Sequence, residues 1–338
     1  MPGTANLFEL TRTLVNINSV TGKEKACAEF LYDYLGKHKF QVEVQTLDSE
    51  RWNVFGYHGD PEVVLSTHMD TVAPFFGVGE DAEFIYGRGS CDAKGSLACQ
   101  LVAAEQLLAE GVKGFGLLFL VGEETISDGA RAANLSSTET RYIIVGEPTR
   151  NKLVVGTKGI LHLRIRTAGK AAHSAYPRLG ESAIEKLLDL LADLRALDLP
   201  VDPVLGPATM NIGTISGGRA ANITASEAEA QILCRTVDGS GALRQRIEGL
   251  LQGRCEYEVV REAPPVKLEK LDGFETDSVA YTTDVPNLTG WGRPFLLGPG
   301  SIEVAHTDHE CVRKADLVQA VDLYCRIVRE LKARAPGG

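Results

Sequence analysis

Apolar positions recur at helical spacing over residues 4–16, where Leu7, Leu10 and Leu14 fall on one side, and the pattern breaks at Ser19-Val20-Thr21-Gly22. A second helix is expected over 23–37, running through Ala26, Phe30, Leu31 and Leu35. Extended runs follow at 40–47, 52–57 and 62–67, and a Pro/Gly-rich loop at 72–81. Residues 95–110 form a long Ala/Leu helix entered through Asp92-Ala93-Lys94-Gly95. Residues 115–121 are nearly all apolar, as in a strand buried on both faces. A helix over 127–134 and an apolar strand over 141–146 complete an alternation that predicts an α/β fold, a mostly parallel sheet covered by helices.

The pattern changes near Gly156-Thr157-Lys158-Gly159. Over 160–167, Leu161, Leu163 and Ile165 alternate with His162, Arg164 and Arg166, the mark of a half-exposed antiparallel strand. A helix at 180–196, strands at 208–215 and 223–235, a helix at 240–252 and a strand at 255–261 build a small two-layer α+β unit. Ala263-Pro264-Pro265 reads as the return linker, and the chain ends in a helix over 315–333. The expected organisation is a first domain of residues 1–157 and 266–338, interrupted by a second of residues 158–265. A length of 338 residues also favours two cores over one.

Bulk properties narrow the partners. The net charge is -10 and no basic cluster stands out, so a nucleic-acid partner is not expected. No run of about 18 apolar residues could span a membrane. Met1 to Leu14 lacks the basic start and apolar core of a signal peptide. Seven cysteines, an odd number without Cys-x-x-Cys spacing, fit reduced thiols in a cytoplasm.

The chemistry gathers at strand ends. His68 closes the run Val63-Val64-Leu65-Ser66-Thr67, and Asp70 lies two positions on, on the same side of an extended chain. Asp92 sits in the Gly-rich turn Gly87-Arg88-Gly89-Ser90-Cys91-Asp92. That run lacks phosphate-loop spacing, and its Asp would repel an anion. Gly122-Glu123-Glu124-Thr125 and Gly146-Glu147-Pro148-Thr149 each follow an apolar strand directly, and Gly298-Pro299-Gly300 leads to His306. In open α/β sheets the ligand crevice lies beyond the carboxyl ends of the strands, where these residues should converge. Two imidazoles and several carboxylates, with no thiolate, suit zinc, cobalt or manganese. The set is too large for one tetrahedral ion and about right for two, roughly 3.5–4 Å apart and sharing a carboxylate. Glu123 and Glu124, being adjacent, cannot both point the same way; one is left to take a proton from a water acidified by the ions. That is the equipment for amide hydrolysis.

In this combination the stretches resemble the M20 family of metallopeptidases and deacylases. The resemblance implies a di-metal catalytic domain interrupted by a lid domain through which the protein forms a homodimer. It implies His68 and Glu147 on one ion, Glu124 and His306 on the other, Asp92 bridging, Asp70 orienting His68, and Glu123 as general base. Ala172-His173-Ser174 resembles the family's lid histidine motif, which implies that His173 steadies the oxyanion in the partner subunit's site. Asn222, Arg235 and Gly300 resemble substrate-binding positions, Arg being suited to a carboxylate. Gly298-Pro299-Gly300-Ser301 to His306 resembles the acetylornithine deacetylase group. The expected substrate is therefore a small N-acyl amino acid, N-acetylornithine first. N-acetylcitrulline, N-acetyl-lysine, N-succinyl-diaminopimelate and carrier-linked lysine or ornithine are alternatives, as is a dipeptidase or carboxypeptidase. A non-hydrolytic binding protein on the same fold would require loss of a ligand or of the base, and none of those residues is missing.

Overall fold

The computed structural model describes residues 4–136 and 139–334. The outer ends of the expected first domain and residues 137–138 lie outside the described residues. The chain divides into two compact units, one of residues 1–155, 268–277 and 283–338, the other of residues 156–267 and 278–282.

The first unit is built on a six-stranded sheet in the order Gln41–Thr46, Trp52–His58, Phe115–Leu120, Val63–His68, Tyr142–Val145, Arg293–Leu296. The first two strands are antiparallel to their neighbours and the remaining pairs are parallel. Residues of one parity, Val54, Val63, Leu65, Phe115, Leu117, Phe119, Ile144 and Phe295, share a core with four helices. These are α1 (Thr4–Asn16), α2 (Lys25–Lys37), α3 (Lys94–Ala109) and the C-terminal helix Lys314–Ala333. The opposite parity is covered from the other side. Phe55 meets Trp291 edge-on at 5.2 Å, and Asn53 Nδ2 donates to the Gly129 carbonyl of the short helix Asp128–Asn134. α3 buries most of its circumference, as expected of an Ala/Leu helix without a polar face.

Two features of this unit were not expected. Arg293–Leu296 extends the parallel sheet, and Phe84–Tyr86 pairs with both Gly79–Glu80 and Cys311–Arg313 in a small separate sheet. Strands of two or three residues hold too few side chains to display an alternation, and Arg293–Leu296 opens on Arg293 and Pro294, which break an apolar run.

The second unit is a four-stranded antiparallel sheet in the order Thr209–Gly217, Glu227–Thr236, Gly159–Ala168, Glu256–Ala263. Helices Ala183–Arg195 and Ala242–Leu251 cover one face. In the first, Leu187, Leu190, Leu191 and Leu194 repeat at helical spacing and are buried. Its start is fixed by Ser182, whose Oγ accepts the Glu185 N–H at 3.3 Å. The uncovered face carries the polar residues of the alternation, with His162 against Gln231 and Arg164 and Arg166 against Glu229. Residues 278–282 group with this unit rather than with the first. The Lys158 N–H donates to the Val279 carbonyl, and Thr282 Oγ1 donates to the Lys158 carbonyl.

Candidate metal centre

Three parallel strands of the first unit end side by side, and the residues that follow them carry the acids and imidazoles. Val63–His68 delivers His68, buried to 1% exposure. Phe115–Leu120 leads into the turn bearing Glu123 and Glu124, and Tyr142–Val145 into Glu147. Gly122 makes the first of these turns at φ +74, and a Cβ there would lie 2.0 Å from Asp128 Oδ1. Asp92 arrives from the turn before α3 and His306 from the loop after Arg293–Leu296.

Asp92 is the centre of the arrangement. Its Oδ1 lies 3.1 Å from His68 Nε2 and its Oδ2 3.4 Å from His306 Nε2. Glu147 Oε1 stands 4.0 Å from His68 Nε2, and Glu124 Oε2 stands 3.0 Å from His306 Nε2. Ligand atoms of His68, Asp92 and Glu124 all fall within 4.8 Å of one another. Behind them, Asp70 is fully buried. It accepts Thr21 Oγ1 at 2.7 Å and the N–H groups of Glu123 and Glu124 at 3.1 and 3.2 Å, and its Oδ1 is 3.5 Å from His68 Nδ1. Among the described residues, the Glu123 carboxylate makes no hydrogen bond or ion pair.

The electrostatics follow from crowding acids into a dry place. Burial, reinforced by the charges of Asp284 and Glu147, pushes Glu123 well above the usual carboxylate range. Glu147 is pushed well up by burial and by Asp92, and Glu124 rises for the same two reasons. Burial opposes ionised Asp92, but hydrogen bonds from His306 and His68 outweigh it and hold it well below its ordinary value. His306 is pushed up to about 10 by Asp92 and Glu124. Such a cluster of acids is short of positive charge, and a donor set of imidazole and carboxylate fits divalent cations.

Two of the residues near this centre carry no expectation from sequence. Thr21 holds Asp70, and Glu310 accepts the Asp92 N–H at 3.1 Å from 218 residues away. Neither sits in a motif, and only the fold brings them in. Gly300 adopts φ +79, where a Cβ would meet Cys91 Sγ at 2.6 Å, so this glycine closes its loop onto the Asp92 turn.

The remaining expected residues lie in the second unit. His173 and Asn222 share a patch: His173 bridges Ile223, and the Ser174 N–H donates to the Asn222 carbonyl at 3.0 Å. Arg235 stands at the far end of strand Glu227–Thr236, opposite Ile160 and Thr209. It is separated from the Asn222 loop by roughly 27 Å of strand at about 3.4 Å per residue.

Residues 155–256 match the model of a peptidase dimerisation domain of the M20 type. A peptidase M20 domain-containing protein of Schizosaccharomyces pombe is 41% identical over 341 residues, covering 97% of this chain and 85% of the relative. The chain belongs to the peptidase M20 family. Like the M20 family at large, it is a hydrolase acting on amide bonds. A probable carboxypeptidase of Aspergillus oryzae is 38% identical over 367 residues, with 94% of this chain and 85% of the relative covered. The crystal structure of a tripeptidase from Staphylococcus aureus superposes with a TM-score of 0.85 at 21% identity, over 98% of this chain and 99% of that one, a likeness of fold. No helix among the described residues is long and apolar enough to cross a membrane.

Proposed function

We propose that this M20 chain is a metallohydrolase that cleaves the amide bond joining an acyl group, acetyl or peptidyl, to a C-terminal amino acid with a free carboxylate. The observation that carries the reading is the placement of Asp92, with one oxygen toward each imidazole, Glu147 beside the first and Glu124 beside the second. His68 and Glu147 would hold one divalent ion, Glu124 and His306 another, and Asp92 both; zinc, cobalt and manganese all suit the donors. Bound there, the ions supply a water acidified toward neutral pH and a positive charge facing the carbonyl oxygen of the substrate.

The chain's own residues do the rest. Glu123, unengaged by the imidazoles, takes the proton as the water oxygen bonds to the carbonyl carbon. It then gives that proton to the departing nitrogen as the C–N bond breaks, releasing a carboxylic acid and an amino acid. Asp70 keeps His68 in the tautomer that presents Nε2 to the centre. His173 as oxyanion partner across a homodimer, and Arg235, Asn222 and Gly300 as substrate contacts, rest on the family resemblance alone. So does the preference for N-acetylornithine; the relatives described as probable carboxypeptidases favour a peptidyl acyl group. Both are amides of the same amine-side product. Seven unpaired cysteines support a cytoplasmic setting.

The test is a panel given to chelator-stripped protein with and without zinc, cobalt or manganese: N-acetylornithine and its N-acyl relatives, dipeptides and tripeptides, each with a free or amidated carboxylate. Metal-dependent cleavage that requires the free carboxylate supports the reading, and the preferred acyl group ranks deacylase against carboxypeptidase. Cleavage indifferent to amidation, or none with two ions bound, overturns it.

A further inference from the structure

Glu310 and Arg88 form a fully buried ion pair, each side chain 1% exposed, with Arg88 Nη1 donating to Glu310 Oε2 at 2.7 Å. The other carboxylate oxygen, Oε1, accepts three backbone N–H groups: Gly89 at 2.9 Å, Cys91 at 3.2 Å and Asp92 at 3.1 Å. Three amides converging on one oxygen make an anion nest, and a buried anion is tolerated because Arg88 compensates it. Arg88 is itself held, with Nε donating to the Pro74 carbonyl at 3.2 Å and its guanidinium 4.9 Å from the Phe76 ring centroid. The Gly87 N–H closes the turn on the Glu310 carbonyl at 3.1 Å.

The position of this carboxylate in the chain gives it its significance. Glu310 lies four residues after His306 and directly precedes Cys311–Arg313, which pairs with Phe84–Tyr86 just ahead of the Asp92 turn. One acid thus ties the segment bearing Asp92 to the segment bearing His306. A neutral hydrogen-bonding residue could close a turn. A charged one, desolvated and neutralised by a dedicated arginine, fixes the backbone of Asp92 far more stiffly. The hydrogen bonds of the two side chains given above run to each other and to backbone groups, not to the imidazoles or to the Asp92 carboxylate.

Building on the two-ion reading above, we propose that Glu310, paired with Arg88, is the positioning residue of the metal centre. It clamps the Gly89–Asp92 turn against the His306 segment, and so sets the spacing at which Asp92 meets both imidazoles.

The test is Co(II) binding to apo-protein, followed by calorimetry and by the visible cobalt spectrum, alongside thermal unfolding of the same apo samples. Glu310→Gln should fold, weaken uptake of the pair of ions about 10–100-fold and change the cobalt spectrum. Glu310→Asp, which keeps the charge one methylene short, should recover part of the affinity. A Glu310→Gln protein with a lowered Tm but wild-type cobalt affinity and spectrum would make the pair a fold-stabilising contact only and overturn the proposal. If Glu310→Gln fails to fold, the double variant Arg88→Met/Glu310→Met replaces the ion pair by apolar volume. Weak cobalt binding by that folded double variant supports the clamp, and wild-type binding overturns it. Wild-type protein that takes up no cobalt refutes the two-ion reading itself, whereas failure of the clamp alone leaves wild-type binding intact.

Discussion

Asp70 shows how a single buried carboxylate can serve two neighbours. One side faces His68 Nδ1, and its oxygens also accept the amides of Glu123 and Glu124. Burial pushes Asp70 up, yet hydrogen bonds with His68, Thr21 and the Glu124 amide outweigh it and leave Asp70 below its ordinary value. The acid beside the imidazole therefore also holds the turn carrying Glu123, the proposed general base. Glu123, the one carboxylate of the cluster without a partner, can be altered without disturbing the donors. Glu123→Gln should keep its metal content, measured by atomic absorption, while turnover falls by about 10²–10⁴. Near-normal turnover would remove Glu123 from the chemistry, and lost metal would mean it is a ligand.

At the level of elements, helices and long strands were legible because each presents enough residues to display its period. The positions of His68, Glu123, Glu124 and Glu147 were legible because His68 ends an apolar strand and the three glutamates lie within four residues of the end of one. Glu310, the short strand Cys311–Arg313 and the bonding of Thr21 to Asp70 were not, since they depend on contacts across the chain that leave no local trace. Glu24, at the N-terminal end of α2, is another silent residue. It is fully buried, neither carboxylate oxygen has a hydrogen-bond partner, and its carbonyl accepts the Cys27 and Ala28 amides. A helix N-terminus favours an anion, but burial and the nearby charge of Asp70 prevail and raise Glu24 to about 7. The folded state therefore binds this proton more tightly than the unfolded chain, whose value is 4.5. The contribution of Glu24 to stability should be largest below that unfolded value and decline as pH rises toward 7. Glu24→Gln should remove about 3 kcal/mol of that decline, read from urea unfolding of apo-protein between pH 4.5 and 7.5. Equal pH slopes in the two proteins would mean that folding leaves the proton affinity of Glu24 unchanged.

For the whole molecule, the question is what covers the outer strand of the second unit. Thr209–Gly217 is paired on one side only, is largely exposed and has no charged residue in nine. Natural edge strands left in water are usually guarded by lysine, proline or a bulge, and the one irregularity here, between Ile212 and Thr214, leaves the strand's outer half open. Ile215 is 53% exposed, and Leu188 and Ile223, both exposed, line a cavity of about 1040 Å³ together with Gly217 at the strand's end. An unguarded edge beside apolar side chains, within the stretch that matches a dimerisation domain, fits a second copy of the same chain. Each copy carries a charge of -10, so association opposes mutual repulsion and should tighten as salt screens it. Placing a charge on the edge, Ile215→Lys, should weaken the dimer at least tenfold, about 1.4 kcal/mol, in sedimentation velocity, without lowering the Tm of the monomer. If His173 serves the neighbouring site, that variant should lose turnover along with the dimer. Mixing His173→Ala with Glu123→Gln protein should then restore part of the activity that each lacks alone, because a mixed dimer holds one site with both residues intact. Dimers that persist in Ile215→Lys would move the interface away from this edge, and mixtures that stay inactive would confine His173 to its own subunit.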